Sequence, residues 1–235
     1  MRIPTIHGYI DRRILINYTI DAEVVRKVIP PPFRPKLYQG KSIGGICLIR
    51  LKHIKPKGLP DIVGIASENG AHRFAVEWEE GGETKEGVFI PRRDTSSFTN
   101  AIAGGRIFPG KHNLAKFDVK EGNGSYHVAF KSDDDTQIAI TAREIEAYTQ
   151  GSVFKSLAEA SGFFEKGCIG YSPNKNNFDG VRLNTYKWEM IPLEVASVKS
   201  SYFENEALFP KGSVVFDNAL LMKNIEHEWL NVAGK

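Results

Sequence analysis

Between Val88 and Phe117 the chain reads VFIPRRDTSSFTNAIAGGRIFPGKHNLAKF, a gathering of cations, an acid and a lysine on an apolar framework. Lys111 follows Phe108, Pro109 and Gly110 and precedes His112, with Arg92, Arg93 and Arg106 near in sequence. A lysine amine becomes nucleophilic near neutral pH only when burial or neighbouring positive charge lowers its pKa. These cations are of the kind that would supply that charge. The plainer reading is a solvated loop lysine, because lysines are rarely buried without a partner. Asp94 reads first as a helix N-cap and second as a group for proton handling. Arg92 and Arg93 are adjacent, so on a strand they face opposite ways. One of the two is then the candidate for entering a cavity and holding a substrate carboxylate in bidentate fashion.

A second acid lies upstream. Glu68 sits in Ser67-Glu68-Asn69-Gly70, before the strand-like His72–Glu79. It can place a carboxylate at a cavity mouth for proton transfer, or simply pair with Arg73 in a turn. The histidines are scattered, and no pair has helical metal spacing with a third ligand, so a metal site is not expected. No G-x-S-x-G elbow is present, which argues against a serine hydrolase. No G-x-G-x-x-G or P-loop is present, and nothing calls for a cofactor.

The 235 residues suit one domain spanning 1–235, and 41% hydrophobic with 25% charged residues is an ordinary globular balance. A net charge of +3, with no basic stripe, argues against a nucleic-acid partner. Cys47 and Cys168 lack CxxC partners and read as free thiols, which fits a cytoplasmic location. The N-terminus lacks an apolar signal core, and no stretch approaches the roughly 18 apolar residues of a membrane span.

The elements that must position these residues are mainly β. Alternating patterns predict strands at Arg13–Thr19, Ile43–Ile54, His72–Glu79, Gly87–Ile90, Leu114–Lys120, Tyr126–Lys131, Ile138–Ala147, Arg182–Ile191, Glu194–Phe203 and Ser213–Leu221. Gly81-Gly82 and Gly122-Asn123-Gly124 mark hairpins, so antiparallel neighbours are expected. Helices are predicted over Ala22–Ile29 behind Asp21, from Asp94 or Ser96 to Ala103, and over Val153–Ala160. Tyr171-Ser172-Pro173 reads as a turn. The fold expected is a closed or nearly closed antiparallel β-barrel or double sheet with a central cavity and a few short helices.

Several segments together resemble acetoacetate decarboxylase. They are LINYTIDAEVVRKVIPPPF from Leu15 to Phe33, the acid-bearing Ser67-Glu68-Asn69-Gly70, and Gly105-Arg106 followed by Phe108-Pro109-Gly110-Lys111. The C-terminal stretches from Val198 and from Phe209 to Asp217 complete the likeness. It covers nearly the whole chain and is nearest to an uncharacterised branch of the superfamily. The resemblance implies a barrel with a buried cavity, and a Schiff base between a lysine and a β-keto acid. Where that family has two consecutive lysines after proline, this chain has Gly110-Lys111, and the Schiff-base position is the first of the pair. Thr19 also stands where the family has an arginine. Two readings therefore stay open. One is a carbon-carbon lyase acting on a small keto acid, with Lys111 as nucleophile, Glu68 and Asp94 for proton handling, and Arg93, Arg106 and His112 on the substrate. The other is a non-catalytic barrel that binds a small keto acid or other carboxylate and has lost the amine. An exposed barrel edge or apolar patch would favour a homo-oligomer.

Overall fold

The computed structural model describes residues 4–98, 110–148, 150–174 and 177–235. In chain order the elements are β1 (Ile6–Ile20), α1 (Ala22–Val28), β2 (Arg34–Pro35), β3 (Leu37–Tyr38), β4 (Lys41–Pro56), β5 (Ile65–Glu80), β6 (Glu83–Thr95), β7 (His112–Gly122), β8 (Ser125–Ser132) and β9 (Gln137–Glu144). Then follow α2 (Leu157–Lys166), β10 (Ile169–Asn174), β11 (Asn177–Thr185), β12 (Ile191–Ser200) and β13 (Val214–Val232). Both expected hairpins form. Gly81 and Gly82 join β5 to β6, and Asn123 and Gly124 join β7 to β8, each with two residues at positive φ. That is the turn whose twist suits a two-residue hairpin.

Closure comes from a shared wall. β13, β1, β4, β5 and β6 lie side by side, and the sheet returns from β6 to β13 by two routes. One route runs through β7, β8, β9 and β12, the other through β10 and β11. Each route encloses its own core. Ile14, Ile16, Ile46, Leu48, Phe74, Val128, Ile140 and Leu221 pack on the first side. Leu15, Cys47, Leu51, Ala71, Ile90, Phe154 and Leu220 pack on the second. A wall with apolar material on both faces is buried without interruption along its strands. Ser42–Leu48 of β4 and Gly70–Val76 of β5 are buried at every position, as expected for strands covered on both sides.

The pairing is antiparallel at most junctions, with two exceptions to the all-antiparallel expectation. β6 runs parallel to β7 and to β10. Residues 96–111 separate β6 from β7, which is the length that a parallel crossover requires. β6 also continues past its expected end at Ile90 to Thr95. Asp94 is therefore a strand residue and not a helix cap, and the helix expected up to Ala103 lies mainly outside the described residues. The segment read as a turn at Tyr171-Ser172-Pro173 is strand β10. Asp21 precedes α1 without a capping side-chain bond, and its carboxylate binds Lys41 at 2.7 Å instead. The third helix begins later than expected, because Ser156 accepts a hydrogen bond from the Glu159 backbone N–H and so sets its start. Among the described residues no helix is long and apolar enough to cross a membrane.

Candidate ligand-binding site

Register builds the site. Leu15 of β1, Cys47 of β4, Ala71 of β5, Arg93 of β6 and His112 of β7 are successive cross-strand partners. They form one continuous rung across five strands. Neighbouring strands lie about 4.8 Å apart, so Cys47 and Arg93 are separated by the width of a single strand carrying only a methyl side chain. The next rung on the same face holds Arg13, Ile49 and Asn69. Side chains alternate between the faces of a strand, so these residues and Arg73 point to the side that β10 and β11 close. There they line a cavity of about 120 Å³. Ile10, Val88, Ile90, Val181, Leu183 and Trp229 complete its apolar walls, and Cys168 contributes a second thiol. Both cysteines are free.

The electrostatics of this cavity are one-sided. Arg13, Arg73 and Arg93 line it, and none of them makes a salt bridge with a carboxylate among the described residues. Arg73 is 3% exposed. Its Nε donates to Cys47 Sγ at 3.2 Å, its Nη2 donates to Asn17 Oδ1, and its guanidinium lies over the Phe164 ring at 5.0 Å. Arg13 Nη2 donates to the same sulfur at 3.6 Å. Arg93 Nε donates to Ser172 Oγ at 3.0 Å, while its buried Nη2 has no partner among the described residues. Burial lowers the pKa of Arg93 to about 10, so it remains charged at neutral pH. Burial also lowers the pKa of His112 to about 3, and the charge of Arg93 adds to that effect. His112 is therefore neutral. Burial favours the uncharged thiol at Cys47, but the charges and hydrogen bonds of Arg13 and Arg73 outweigh it and bring the pKa below the ordinary thiol value.

A guanidinium left without an acid in a largely apolar cavity favours an anionic ligand, and the planar fork matches a carboxylate. The apolar walls suit a short carbon skeleton attached to it. Among the described residues no group of His, Cys, Asp or Glu is arranged to hold a metal ion.

The residues singled out in the sequence are divided by the wall. Arg93 and His112 line the cavity, and Asp94 borders it while its carboxylate is engaged by Arg92 and Ser132. Glu68 lies on the opposite face of β5, where it accepts from Arg12 Nη2 and from Arg50 Nε, both at 2.6 Å. Arg12 and Arg50 both also pair with Glu121. The expected pairing of Glu68 with Arg73 does not occur, because the two side chains leave the strand on opposite sides. Asp94 belongs to a rung with Gly70 and Asn113. Its carboxylate is held by Arg92 Nε at 3.0 Å, Arg92 Nη2 at 2.7 Å and Ser132 Oγ at 2.5 Å. Burial raises its pKa, against the lowering effect of those donors. Arg92 and Arg93 do face opposite ways. Lys111 is exposed, whereas Gly110 is buried. Arg106 lies outside the described residues.

Gly110 has a φ of +79°, and a Cβ placed on it would lie 2.6 Å from Ser172 Cβ. A side chain at this position needs both a strained backbone and a displaced β10. Sequence reasoning missed Arg13, Arg73, Cys47 and Asn69. The available signal was strand alternation, which puts Arg13 on the same face as Leu15, and Arg73 on the same face as Ala71 and Ala75.

This double closure around a shared wall is the acetoacetate decarboxylase-like fold. The chain is similar to an acetoacetate decarboxylase from Legionella pneumophila, with a TM-score of 0.61 and 16% identity, covering 98% of this chain and 88% of the other. It is similar to an acetoacetate decarboxylase-like enzyme from Sphingomonas wittichii, with a TM-score of 0.60 and 8% identity, covering 99% and 94%. It is also similar to the enduracididine biosynthesis enzyme MppR complexed with pyruvate, with a TM-score of 0.57 and 10% identity, covering 100% and 91%. No curated protein matches the sequence. The chain belongs to the family DUF2071, described as an uncharacterized conserved protein (COG2071), whose pattern spans residues 10–219.

Proposed function

We propose that this chain binds a small carboxylate-bearing molecule, a keto acid in the first instance, in the cavity lined by Arg13, Arg73 and Arg93. The observation that carries this reading is that these guanidiniums line one small apolar cavity without a carboxylate partner among the described residues. Arg93 takes the ligand carboxylate through its unpartnered Nη2, and neutral His112 flanks it. Glu68 and Asp94 serve as structural counter-ions on the other face of the wall. The likeness to decarboxylases and to a pyruvate complex supports a keto acid as the ligand class.

The lyase reading requires a lysine amine inside the cavity. Lys111 is exposed, and among the described residues no lysine lines the cavity. The non-Schiff-base reading is therefore preferred. Titration calorimetry with pyruvate and acetoacetate, each compared with its neutral amide, tests the first half. Borohydride reduction of the same mixtures, followed by peptide mass spectrometry, tests the second. The expected result is binding of the acids, weaker binding of the amides, and no reduced adduct on lysine. An adduct on Lys111 would restore the lyase reading, and equal binding of acids and amides would overturn the carboxylate site.

A further inference from the structure

We infer that Cys47 is a nucleophile of this cavity that adds reversibly to the carbonyl carbon of a bound α-keto acid. The inference rests on the carboxylate-binding reading above and extends it to covalent chemistry. Its basis is placement. Cys47 shares a rung with Arg93, with only the methyl group of Ala71 between them. A carboxylate held by the Arg93 fork therefore sits in the same cavity that Cys47 lines, one strand away from the sulfur's residue.

The sulfur is held for this role by two donors, Arg73 Nε at 3.2 Å and Arg13 Nη2 at 3.6 Å. Arg73 is itself fixed at its far end by Asn17, whose Nδ2 donates to Asn218 Oδ1 at 2.8 Å. Asn17 and Asn218 are fully buried. That buried polar chain runs from the interior of the wall to the thiol, and it holds a guanidinium against a sulfur. A cysteine that served only as core packing would have no use for two cations. The charged and titratable groups lining the cavity around it are Arg13 from β1, Arg73 from β5, Arg93 from β6, His112 from β7, and Cys168 before β10. Among the described residues Asp94 is the one acid in contact with the cavity, and its carboxylate is taken by Arg92 and Ser132. Among the described residues no unpaired carboxylate therefore opposes a thiolate, and adjacent cations are what make a cysteine reactive.

The step balances without a co-reactant other than water. The thiolate electron pair forms a C–S bond to the keto carbon. The π pair of the carbonyl moves to its oxygen, and that alkoxide takes one proton from water. The product is a hemithioketal, and the reverse path returns the keto acid unchanged.

The full chain can be tested with two alkylating agents that differ in charge, iodoacetate and iodoacetamide, with modified residues located by peptide mass spectrometry. Ordinary thiols prefer the neutral reagent. Cys47 is expected to react about tenfold faster with iodoacetate, through the raised local anion concentration, and pyruvate should protect it. Cys168 serves as the internal comparison. A second measurement follows [2-13C]pyruvate by NMR, where a tetrahedral carbon signal should appear with the native chain and vanish in Cys47→Ser. If calorimetry registers keto acid binding while Cys47 prefers iodoacetamide and no tetrahedral carbon forms, the cysteine inference fails and the binding site stands. If keto acids do not bind at all, the underlying reading fails with it.

Discussion

Gly110 rests against Ser172 so closely that a Cβ on the glycine would lie 2.6 Å from the serine Cβ. The same serine receives Arg93 Nε on its hydroxyl at 3.0 Å. One buried residue of β10 thus excludes a side chain at position 110 and also orients the guanidinium that faces the cavity. The two features belong together: the position that resembles the Schiff-base lysine is occupied by backbone, and an arginine points into the space that remains.

Restoring a lysine by Gly110→Lys is therefore expected to damage the fold without creating an amine nucleophile. The left-handed backbone costs about 1–2 kcal/mol for a residue with a Cβ. The contact with Ser172 adds about 1–3 kcal/mol of overpacking. Urea unfolding should show a loss of at least about 2 kcal/mol on these two grounds, and borohydride should still trap no keto acid. Trapping at the new lysine, with unchanged stability, would refute this account of the glycine.

Arg93→Met keeps much of the stem and removes the fork. A hydrogen bond to a charged group contributes about 1.5–3 kcal/mol, so the Kd for pyruvate should rise by roughly 10- to 100-fold. Arg92→Met, next in sequence but bound to Asp94 and Asp134 on the other face, should change that Kd less than about threefold. Its effect should fall on stability instead, because it leaves the buried Asp94 carboxylate without its ion-pair partner. Calorimetry and urea unfolding on both variants separate the two faces of β6.

Glu68→Gln distinguishes a structural acid from a catalytic one. Arg12 is 2% exposed and uses Glu68 as its nearest partner, with Glu121 farther away at 3.4 Å. Removing one member of a buried pair costs about 3–5 kcal/mol, and the loss here is expected near the lower end because Glu121 remains. Keto acid affinity should stay within about twofold, since the carboxylate lies across the wall from the cavity. A large fall in affinity with unchanged stability would return Glu68 to the site.

Much of the fold was legible because local pattern and tertiary environment agree along most strands. The Gly81-Gly82 and Asn123-Gly124 turns were readable from residue type alone. β10 was not, because Gly170 and Pro173 look like punctuation, and its backbone pairing with β6 is a two-residue parallel ladder that no local pattern announces. The cap assigned to Asp94 failed for a related reason: an acid that can cap a helix can equally be buried by an arginine and a serine supplied from β6 and β8. Arg93 and His112, which line the candidate cavity, were singled out by type and position. Arg13, Arg73 and Cys47 were not, since their convergence depends on register across β1, β4 and β5, which is fixed by long-range pairing.

Acid should unfold this chain through its histidines before its carboxylates matter. Burial lowers the pKa of His72 to about 3, with Arg92 adding to the effect, that of His112 to about 3, and that of His227 to about 4. The unfolded chain binds protons at these positions from about pH 6.5 downward. A depressed folded pKa therefore means stability that is complete above pH 6.5 and is lost as pH falls towards 3. At pH 5 each histidine has removed about 2 kcal/mol, and the three together approach the whole stability of an ordinary domain. Asp94 runs the opposite way, because its raised pKa makes the folded state the better proton acceptor. Asp134, whose carboxyl is lowered mainly by its hydrogen bonds with Arg92, adds to the loss only below the ordinary carboxylate range. The window between pH 6.5 and pH 5, above the ordinary carboxylate range, thus reports the histidines. His72 packs its ring against Tyr202 at a centroid distance of 4.5 Å, so His72→Phe keeps an aromatic ring there and removes the titration. Urea midpoints measured at half-unit steps should fall less steeply with acid in this variant than in the native chain. Parallel slopes would show that His72 takes no part in acid unfolding.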